Sequence, residues 1–411
     1  MNSRAASLAL IMAAFTALSA VGGQARADEA FPLGVALALT GPGAPYSADG
    51  LKAIQLAVEQ INAEGGFLRK HPIRLIVRDT KTRPDAAKIV VQDMIAKERI
   101  RAVIGTYSSA SAMAIKSISR DNKILHIATI SNAEEITKLD FSPYTYSVVP
   151  NTYMMAKAVA IGTAKLARLH GWTRYVTIAS DYAWGRSSQQ LQVQFLKETA
   201  PQLQLVREFW PPLGQTTFNT YVVGIMNLSP DFVLESVAGA DAEYWGRDAR
   251  DYGLHRKIAV PGALLSVTEL VRDGKLIRRG IYARTRAPFF AHLNVPMMAR
   301  FVEAYRAKFA QYPSDWAVMS YDGVYALKQG IEKAGTTEPE KVKDAMRGLR
   351  IETTRGHLFF REIDNQLSAS AYFGRVGDDR RYPFPILVDL TELKGPDIWR
   401  PEAEILAARR K

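Results

Sequence analysis

The sequence predicts an α/β fold built on two parallel sheets that follow one another along the chain. Short apolar runs, typical of buried strands, alternate with longer segments whose apolar residues recur every three or four positions, as in helices. This alternation favours parallel sheets that are covered by helices on both faces. The alternation of strand and helix patterns begins again after Pro150. A chain of 411 residues is also longer than one hydrophobic core usually serves, so two domains are expected.

The first unit shows the alternation clearly. An apolar run ends at the turn signal Thr40-Gly41-Pro42-Gly43. The next segment has apolar residues at helical spacing and stops at Gly65-Gly66, where a helix C-cap is expected. The same two patterns then repeat. The predicted strands are residues 33–39, 73–77, 102–104 and 124–128, and the predicted helices lie around residues 51–61, 85–96 and 111–119.

The second unit repeats this plan and is followed by a longer tail. Its predicted strands are residues 174–179, 205–209, 231–237 and 257–260, and its predicted helices are residues 152–169, 187–198, 220–227 and 242–252. Three further helices are predicted at residues 295–309, 321–334 and 338–349. Residues 358–388 are predicted to form strands, with turns at Asp364-Asn365 and Gly377-Asp378.

The N-terminus has the pattern of a secretory signal peptide. Arg4 precedes an apolar run over residues 5–21, and Ala25-Arg26-Ala27 places small residues where a signal peptidase reads. We expect cleavage after Ala27 and a periplasmic location; the alternative is an uncleaved membrane anchor. The chain has no cysteine, which excludes a lipoprotein anchor, disulfides and thiolate metal sites.

Composition and motifs argue against several function classes. The net charge is +12, but Lys and Arg are scattered along the chain, which indicates general surface character rather than a nucleic-acid site. There is no G-x-S-x-G elbow and no phosphate loop, and Tyr46 stands where a dinucleotide fingerprint needs its third Gly. The six His residues are too far apart in sequence for a helical metal pair. We expect no enzyme activity, cofactor or metal; a secreted hydrolase is a minor alternative.

Two loops that follow predicted strands are rich in small hydroxylic residues. The first, residues 105–111, contains Tyr107 and Ser109 and opens a helix whose free N–H groups and dipole suit an anion or carboxylate. The alternative is simple N-capping by Ser108 or Ser109. The second loop, residues 128–132, ends the next strand in the same way. Ligands of open α/β sheets bind at such carboxyl ends of strands.

Several short motifs stand in a fixed order along the chain. They are Leu39-Thr40-Gly41-Pro42 with Tyr46, Ala57-Val58-Glu59-Gln60-Ile61-Asn62-Ala63-Glu64-Gly65-Gly66, Asp79, Val103-Ile104-Gly105 with Ser109, Asp181-Tyr182-Ala183-Trp184-Gly185 and Tyr321-Asp322-Gly323. In this order and spacing, the chain resembles the branched-chain amino-acid type of periplasmic solute-binding protein, the leucine/isoleucine/valine-binding family of ABC importers. The resemblance extends from about Pro32 to about Gly377.

The resemblance implies a type I periplasmic binding protein, an α/β fold of two Rossmann-like lobes joined by three crossovers. The first lobe would comprise residues 28–149 and 284–357, and the second residues 150–283 and 358–411. The implied function is capture of a small carboxylate-bearing solute, either an organic or aromatic acid or an amino acid, in the cleft between the lobes. A membrane permease would be the partner, and the protein would be a monomer without nucleic acid. The alternative is a sensor subunit that feeds a receptor.

The resemblance also implies ligand-binding positions. Ser109 matches the carboxylate-binding serine of the family, and Ile130, Ser131 and Asn132 match the segment that holds the same ligand, although the family usually has Thr at the position of Asn132. The remaining implied positions are the second-lobe aromatic lid Trp184, the aromatic wall Trp316 and the cleft-mouth Tyr46. Tyr107, in the loop of Ser109, is a further candidate ligand-binding residue. Trp184 and Trp316 have the alternative role of ordinary core aromatics.

One position departs from the family. Amino-acid binders present a carboxylate to the ligand's ammonium group after the strand that we predict at residues 257–260, and the resemblance places Gly262 there. An unpaired ammonium in a closed cleft would be costly to desolvate. Either Glu235, Asp241 or Asp181 substitutes, or the ligand has no ammonium group. The second case suits an organic or aromatic acid between the aromatic residues, and we expect a preference for it.

Overall fold

The computed structural model describes residues 30–410. The predicted signal peptide and its cleavage site after Ala27 therefore lie outside the described residues. Two α/β lobes with separate sheets account for most of the described chain. Within residues 30–410, no helix is long and apolar enough to cross a membrane. The described residues also contain no group of three or more His, Cys, Asp or Glu side chains placed to hold a metal ion.

The first lobe is built on a five-stranded parallel sheet of order β2-β1-β3-β4-β5. Apolar residues in register, such as Val35 beside Val77 and Ile104, form its buried faces. The strands are β1 (Phe31–Leu37), β2 (Ile73–Asp79), β3 (Ala102–Gly105), β4 (Leu125–Ala128) and β5 (Thr145–Ser147). The helices are α1 (Ala44–Ala63), α2 (Pro84–Glu98), α3 (Ser109–Asp121) and α4 (Glu135–Lys138).

The second lobe starts on a three-stranded parallel sheet of order β7-β6-β8. Its strands are β6 (Arg174–Ala179), β7 (Gln204–Phe209) and β8 (Phe232–Ser236). Its helices are α5 (Thr152–His170), α6 (Ala183–Thr199), α7 (Asn219–Leu228), α8 (Ala240–Asp251) and α9 (Leu254–Lys257). Asn151 caps α5 by accepting a hydrogen bond from the N–H of Met154, at 3.1 Å, which fixes the start of the second lobe just after the first passage between lobes.

The predicted strand over residues 257–260 is wrong. Gly253, in the left-handed conformation at φ 69°, starts the helical turn α9, which runs to Lys257. Only Ala259 then bridges to Phe232 of β8 before Pro261 and Gly262 turn the chain again. With turns on both sides, this stretch is too short for a ladder. The next strand, β9 (Ala263–Leu264), pairs instead with β10 (Tyr282–Thr285), and the short helix α10 (Val267–Arg272) lies between them.

The rest of the chain returns first to one lobe and then to the other. It forms α11 (Pro296–Phe309), α12 (Asp315–Ala334), α13 (Pro339–Met346), the hairpin of β11 (Arg350–Thr353) and β12 (Gly356–Phe359), β13 (Ala371–Gly377), β14 (Ile386–Leu393), α14 (Gly395–Ile398) and α15 (Glu402–Arg409). Helix α12 packs against α1 in the first lobe, whereas β13 joins β10 and β14 in a four-stranded sheet with β9. Together with the passage before α5, these segments give the expected three crossovers between the lobes.

Helix α12 begins six residues before the predicted start. The hydroxyl of Ser314 accepts a hydrogen bond from the N–H of Ala317 at 3.3 Å and caps the helix there. Position 323 within this helix needs Gly, because a Cβ there would lie 2.6 Å from the side chain of Thr129, which follows β4. The earlier start extends α12 to the edge of the cleft and places Trp316 in its first turn.

Candidate functional site

The carboxyl ends of strands from both lobes meet around one cavity. Loops after β3 and β4 face loops after β6, β8 and β10, as expected for ligand sites of α/β sheets. The cavity is small, with about 230 Å³ of space between the side chains including its open mouth. The cavity is lined by Tyr46, Tyr107, Ser109, Ile130, Asn132, Tyr182, Trp184, Ala238, Arg286 and Trp316.

Ser109 lies on the cavity wall and is fully buried. The N-cap of α3 is Ser108, whose hydroxyl accepts from the N–H of Ser111 at 3.4 Å, so Ser109 is not needed for capping. The oxygen of Ser109 accepts instead from the N–H of Ala133 at 3.1 Å. Its own O–H therefore stays available to donate to a ligand, for example to a carboxylate.

Residues 130–132 are buried, but they do not all face the cavity. Ile130 and Asn132 line it, and the side-chain amide of Asn132 donates to the carbonyl of Pro150 at 2.9 Å. Ser131 is absent from the lining because its hydroxyl turns to Thr106, with 3.2 Å between the two oxygens. Ile130 thus provides an apolar contact to the cavity, and Asn132 links the cavity wall to Pro150, at the first crossover between the lobes.

Aromatic rings form the largest part of the wall and link the two lobes. Tyr46 stacks on Trp316 with 4.1 Å between ring centroids, and both rings are almost fully buried. The Tyr46 hydroxyl donates to Glu269 at 2.5 Å, and the Trp316 indole N–H donates to Ser266 at 3.1 Å. Both acceptors belong to the N-terminal end of α10. Trp184, 4% exposed in the first turn of α6, faces the cavity from the second lobe.

The cavity contains a cationic residue that the sequence analysis missed. Arg286 directly follows β10 and is 4% exposed. Its guanidinium carbon lies 4.7 Å from the Trp316 ring centroid and 5.9 Å from that of Trp184. Strand β10 was not predicted, so the position of Arg286 at a carboxyl end of the second-lobe sheet went unnoticed. No local signal in the sequence marks this position, because β10 is short and includes Arg284 and Thr285.

The guanidinium of Arg286 has no ion-pair partner among residues 30–410, although the carboxylate of Asp315 lies near enough to act on its charge. Its Nε also makes no hydrogen bond. Asp315 accepts from the backbone N–H of Arg286, at 2.8 Å, rather than from its side chain. Burial lowers the pKa of Arg286, because a cation is poorly solvated there. An anion bound in the cavity would supply the missing partner.

The acids proposed as substitutes for the family carboxylate do not line the cavity. Asp241 lies behind it and accepts from Ser180 at 3.0 Å and from the N–H of Gly214 at 3.1 Å. Burial raises its pKa to about 6. Asp181 pairs with Arg186 near the surface, at 2.6 Å.

The other two positions lie elsewhere in the second lobe. The side chain of Glu235 accepts from the indole N–H of Trp245 at 2.6 Å and faces a separate groove. Gly262 is also absent from the cavity lining. A Cβ at this position would instead lie 2.9 Å from Val159 of α5. Neither of these two positions therefore places a carboxylate beside the aromatic rings of the cavity.

We expect Ser109→Ala to weaken ligand binding by about 1–2 kcal/mol, because one hydrogen bond to a charged group would be lost. Calorimetry on the purified chain measures this change. Ser108→Ala is the matched control: it removes the cap of α3 and is expected to lower stability with little change in affinity. Equal affinity of Ser109→Ala and the unmodified chain would remove Ser109 from the site.

Comparison with known proteins places the chain among solute-binding proteins. A family model described as "Periplasmic binding protein" matches residues 31–381. A Leu/Ile/Val-binding protein homolog 7 of Brucella abortus is 23% identical over 406 residues, covering 94% of this chain and 99% of that relative. A leucine-, isoleucine-, valine-, threonine- and alanine-binding protein of Pseudomonas aeruginosa is 23% identical over 357 residues, covering 85% and 91%.

Solved structures show the same fold. A periplasmic binding protein of Burkholderia mallei superposes with a TM-score of 0.81 at 18% identity, covering 92% of this chain and 98% of that one. A Rhodopseudomonas palustris solute-binding protein of an ABC transporter, in complex with 3,4-dihydroxybenzoic acid, gives 0.76 at 20% identity, covering 89% and 98%. A leucine-binding protein of Thermotoga maritima gives 0.75 at 20%, covering 88% and 98%. The predicted type I fold is thereby confirmed.

Proposed function

Because this chain belongs to the periplasmic binding protein family, whose members bind solutes, we propose that it captures a small carboxylate-bearing solute in the inter-lobe cavity and delivers it to the permease of an ABC importer. The observation that carries the proposal is Arg286, a buried cation without an acid partner on the cavity wall. The ligand carboxylate would accept from its guanidinium, and Ser109 would donate a further hydrogen bond.

The walls favour a ligand whose body is flat and apolar. The rings of Trp184 and Trp316 lie near the guanidinium, and Tyr46 stacks on Trp316. Aromatic rings contact one another well when stacked or edge to face. Structural neighbours from Rhodopseudomonas palustris were solved with 3,4-dihydroxybenzoic acid, p-hydroxybenzoic acid and benzoate, which supports this class of ligand for the chain.

An aliphatic amino acid is the second candidate. The Pseudomonas aeruginosa relative is named for leucine, isoleucine, valine, threonine and alanine, and Asp241 lies behind the cavity. Both carboxylate oxygens of Asp241 already accept from the N–H of Gly214, and one of them also accepts from the hydroxyl of Ser180, so these bonds compete with an ammonium. We therefore place organic and aromatic acids before amino acids.

Calorimetry of the chain that begins after Ala27 tests the ligand class. We expect benzoate, 4-hydroxybenzoate or the keto acid of leucine to bind at least tenfold more tightly than leucine, because leucine must desolvate an ammonium without a partner. Asp241→Asn tests the second candidate, and Glu235→Gln, in the separate groove, is its control. Tight leucine binding that is lost in Asp241→Asn and kept in Glu235→Gln would restore the amino-acid assignment.

Delivery to a permease distinguishes an importer from a sensor. Cells that lack this protein are expected to lose uptake of the labelled ligand, and the full chain, exported by its own N-terminus, should restore uptake. Restored signalling without restored uptake would favour the sensor. Fractionation of the same cells tests the periplasmic location and the predicted cleavage after Ala27, since the exported protein would begin at Asp28.

A further inference from the structure

Tyr107 lies in the wall of the inter-lobe cavity, in the loop that follows β3. Only 5% of the residue is exposed. Its ring meets that of Tyr46 edge to face, with 6.0 Å between the two centroids. The ring also packs on Gly43, where a Cβ would lie 2.4 Å from it. The first lobe therefore fixes the ring of Tyr107 and leaves its hydroxyl as the group that can meet a ligand.

The hydroxyl of Tyr107 is buried and has no hydrogen-bond partner within residues 30–410, although the hydroxyl of Tyr182 is nearby. Asp241, Glu269 and Arg286 are close enough for their charges to act on it. Both acids already accept hydrogen bonds from other groups. Burial raises the pKa of Tyr107, so this phenol is protonated and able to donate. A buried hydroxyl without a partner is uncommon in native proteins and indicates that an acceptor fits beside it.

The second lobe meets the first lobe directly beside this hydroxyl. The N–H of Ala240, the first residue of α8, donates to the carbonyl of Pro42 at 3.0 Å. Gly239, just before it, has φ 66° and ψ −141°, a conformation that favours glycine. A Cβ at this position would lie 2.3 Å from the carbonyl oxygen of Pro42 and 2.8 Å from the hydroxyl of Tyr107. The backbones of the two lobes can therefore approach here only because position 239 has no side chain.

We propose that Tyr107 donates to the ligand carboxylate together with Arg286, and that the contact of Ala240 with Pro42 positions the second lobe for this binding. The Tyr107 hydroxyl and the Arg286 Nε are buried donors of one cavity, and neither has a partner among the described residues. A carboxylate has two oxygens and can accept from both. Tyr107 belongs to the first lobe, whereas Arg286 follows β10 of the second-lobe sheet. The ligand would thus bridge the lobes. This inference rests on the proposed function and adds a donor and a lobe contact to it.

Tyr107→Phe tests the donor. The variant keeps the ring and its packing on Gly43, but it leaves one carboxylate oxygen of the ligand without a hydrogen bond. We expect affinity for 4-hydroxybenzoate, measured by calorimetry, to fall roughly tenfold or more, since a hydrogen bond to a charged group is lost. At saturating acid the lobes should still close, because the contact of Ala240 with Pro42 is unchanged.

Ala240→Pro tests the lobe contact. Proline has no N–H, and its ring would occupy the space through which Ala240 donates to Pro42. Proline is favoured at the first position of a helix, so α8 and the free energy of unfolding in urea should be retained. We expect roughly tenfold or greater loss of affinity for the acid, because the binding-competent closed form becomes less populated. Ala240→Ser is the matched control: it keeps the N–H and should bind almost normally.

A distance between the lobes gives a readout that is separate from affinity. The chain has no cysteine, so Lys88→Cys and Thr220→Cys, at exposed positions of α2 and α7, can carry one spin label on each lobe. At saturating acid, pulsed electron paramagnetic resonance should give longer label distances for Ala240→Pro than for Ala240→Ser. Tyr107→Phe should give the same distance as the chain without this change.

Two results would overturn the inference: full affinity in Tyr107→Phe, or equal affinity and equal label distances in Ala240→Pro and Ala240→Ser. Failure of 4-hydroxybenzoate to bind the unmodified chain would instead show that the proposed ligand is wrong. The label distances of the unliganded variants would then decide: longer distances in Ala240→Pro than in Ala240→Ser support the lobe contact, and equal distances contradict it.

Discussion

Arg286→Met is expected to weaken binding of the preferred carboxylate by about 3 kcal/mol, roughly 150-fold, while the unliganded chain keeps or gains stability. The guanidinium is buried among aromatic rings without an acid partner, so in the empty protein it is a desolvated charge. A ligand carboxylate pairs this charge, and the variant loses that pairing. Calorimetry measures the affinity, and urea unfolding of the unliganded chain measures the stability.

Arg284→Met is the matched control, two residues earlier in the chain. Arg284 is equally buried, but it donates to the carbonyls of Gly262, at 2.6 Å, and Glu235, at 3.0 Å, and does not line the cavity. Its replacement is therefore expected to lower stability and to leave affinity nearly unchanged, the reverse of Arg286→Met. If Arg286→Met binds the acids normally, the carboxylate is not held at this position and the proposed site is wrong.

Asp322→Ala is expected to lower the free energy of unfolding by about 3–5 kcal/mol, because it would leave a buried cation without its partner. Asp322, fully buried in α12, accepts from Arg355 Nε at 2.8 Å and from the N–H and hydroxyl of Thr354, both at 2.8 Å. Arg355 in turn donates to the carbonyl of Val148, at 2.9 Å, next to the first crossover. The aspartate thus ties a helix, a hairpin turn and a crossover together.

Urea unfolding followed by circular dichroism measures this effect. The double variant Asp322→Leu with Arg355→Met removes both charges and should recover a large part of the lost stability, since neither group is then left unpaired. Single and double variants of equal stability would show that the ion pair is not the cause. A single variant as stable as the unmodified chain would show that the pairing of Asp322 with Arg355 contributes little to stability.

Much of the fold follows from local pattern. Strand and helix periodicities repeat over short windows, so they predicted the two lobes, most strands and most helices. The same loops at strand ends predicted Ser109 and its neighbours, because a strand end and a helix start are both local features. The structure then brings Ser109, Ile130, Asn132 and the aromatic residues around one cavity. Ser131 lies in the predicted segment, but its hydroxyl faces Thr106 instead.

Local pattern failed where neighbours in space decide the outcome. Residues 257–260 have strand-like composition, yet turns at Gly253 and Gly262 leave room for a single bridge. Helix α12 starts at Asp315 because its cap, Ser314, precedes the obvious periodicity. Strand β10 is short and half of it is polar, so neither the strand periodicity nor the helix periodicity identifies it. Arg286, the residue that follows this strand, was therefore overlooked.

By itself, the sequence determined the α/β class, the family and the loops that form the first-lobe side of the cavity, because these depend on spacing along the chain. Only the tertiary structure decided which charged side chains have partners. Glu235 and Asp241 each find partners away from the cavity, whereas Arg286 reaches the aromatic rings with none. Whether a charged side chain is paired depends on which distant segments come within a few ångströms of it, and in a low dielectric that decides what it can bind.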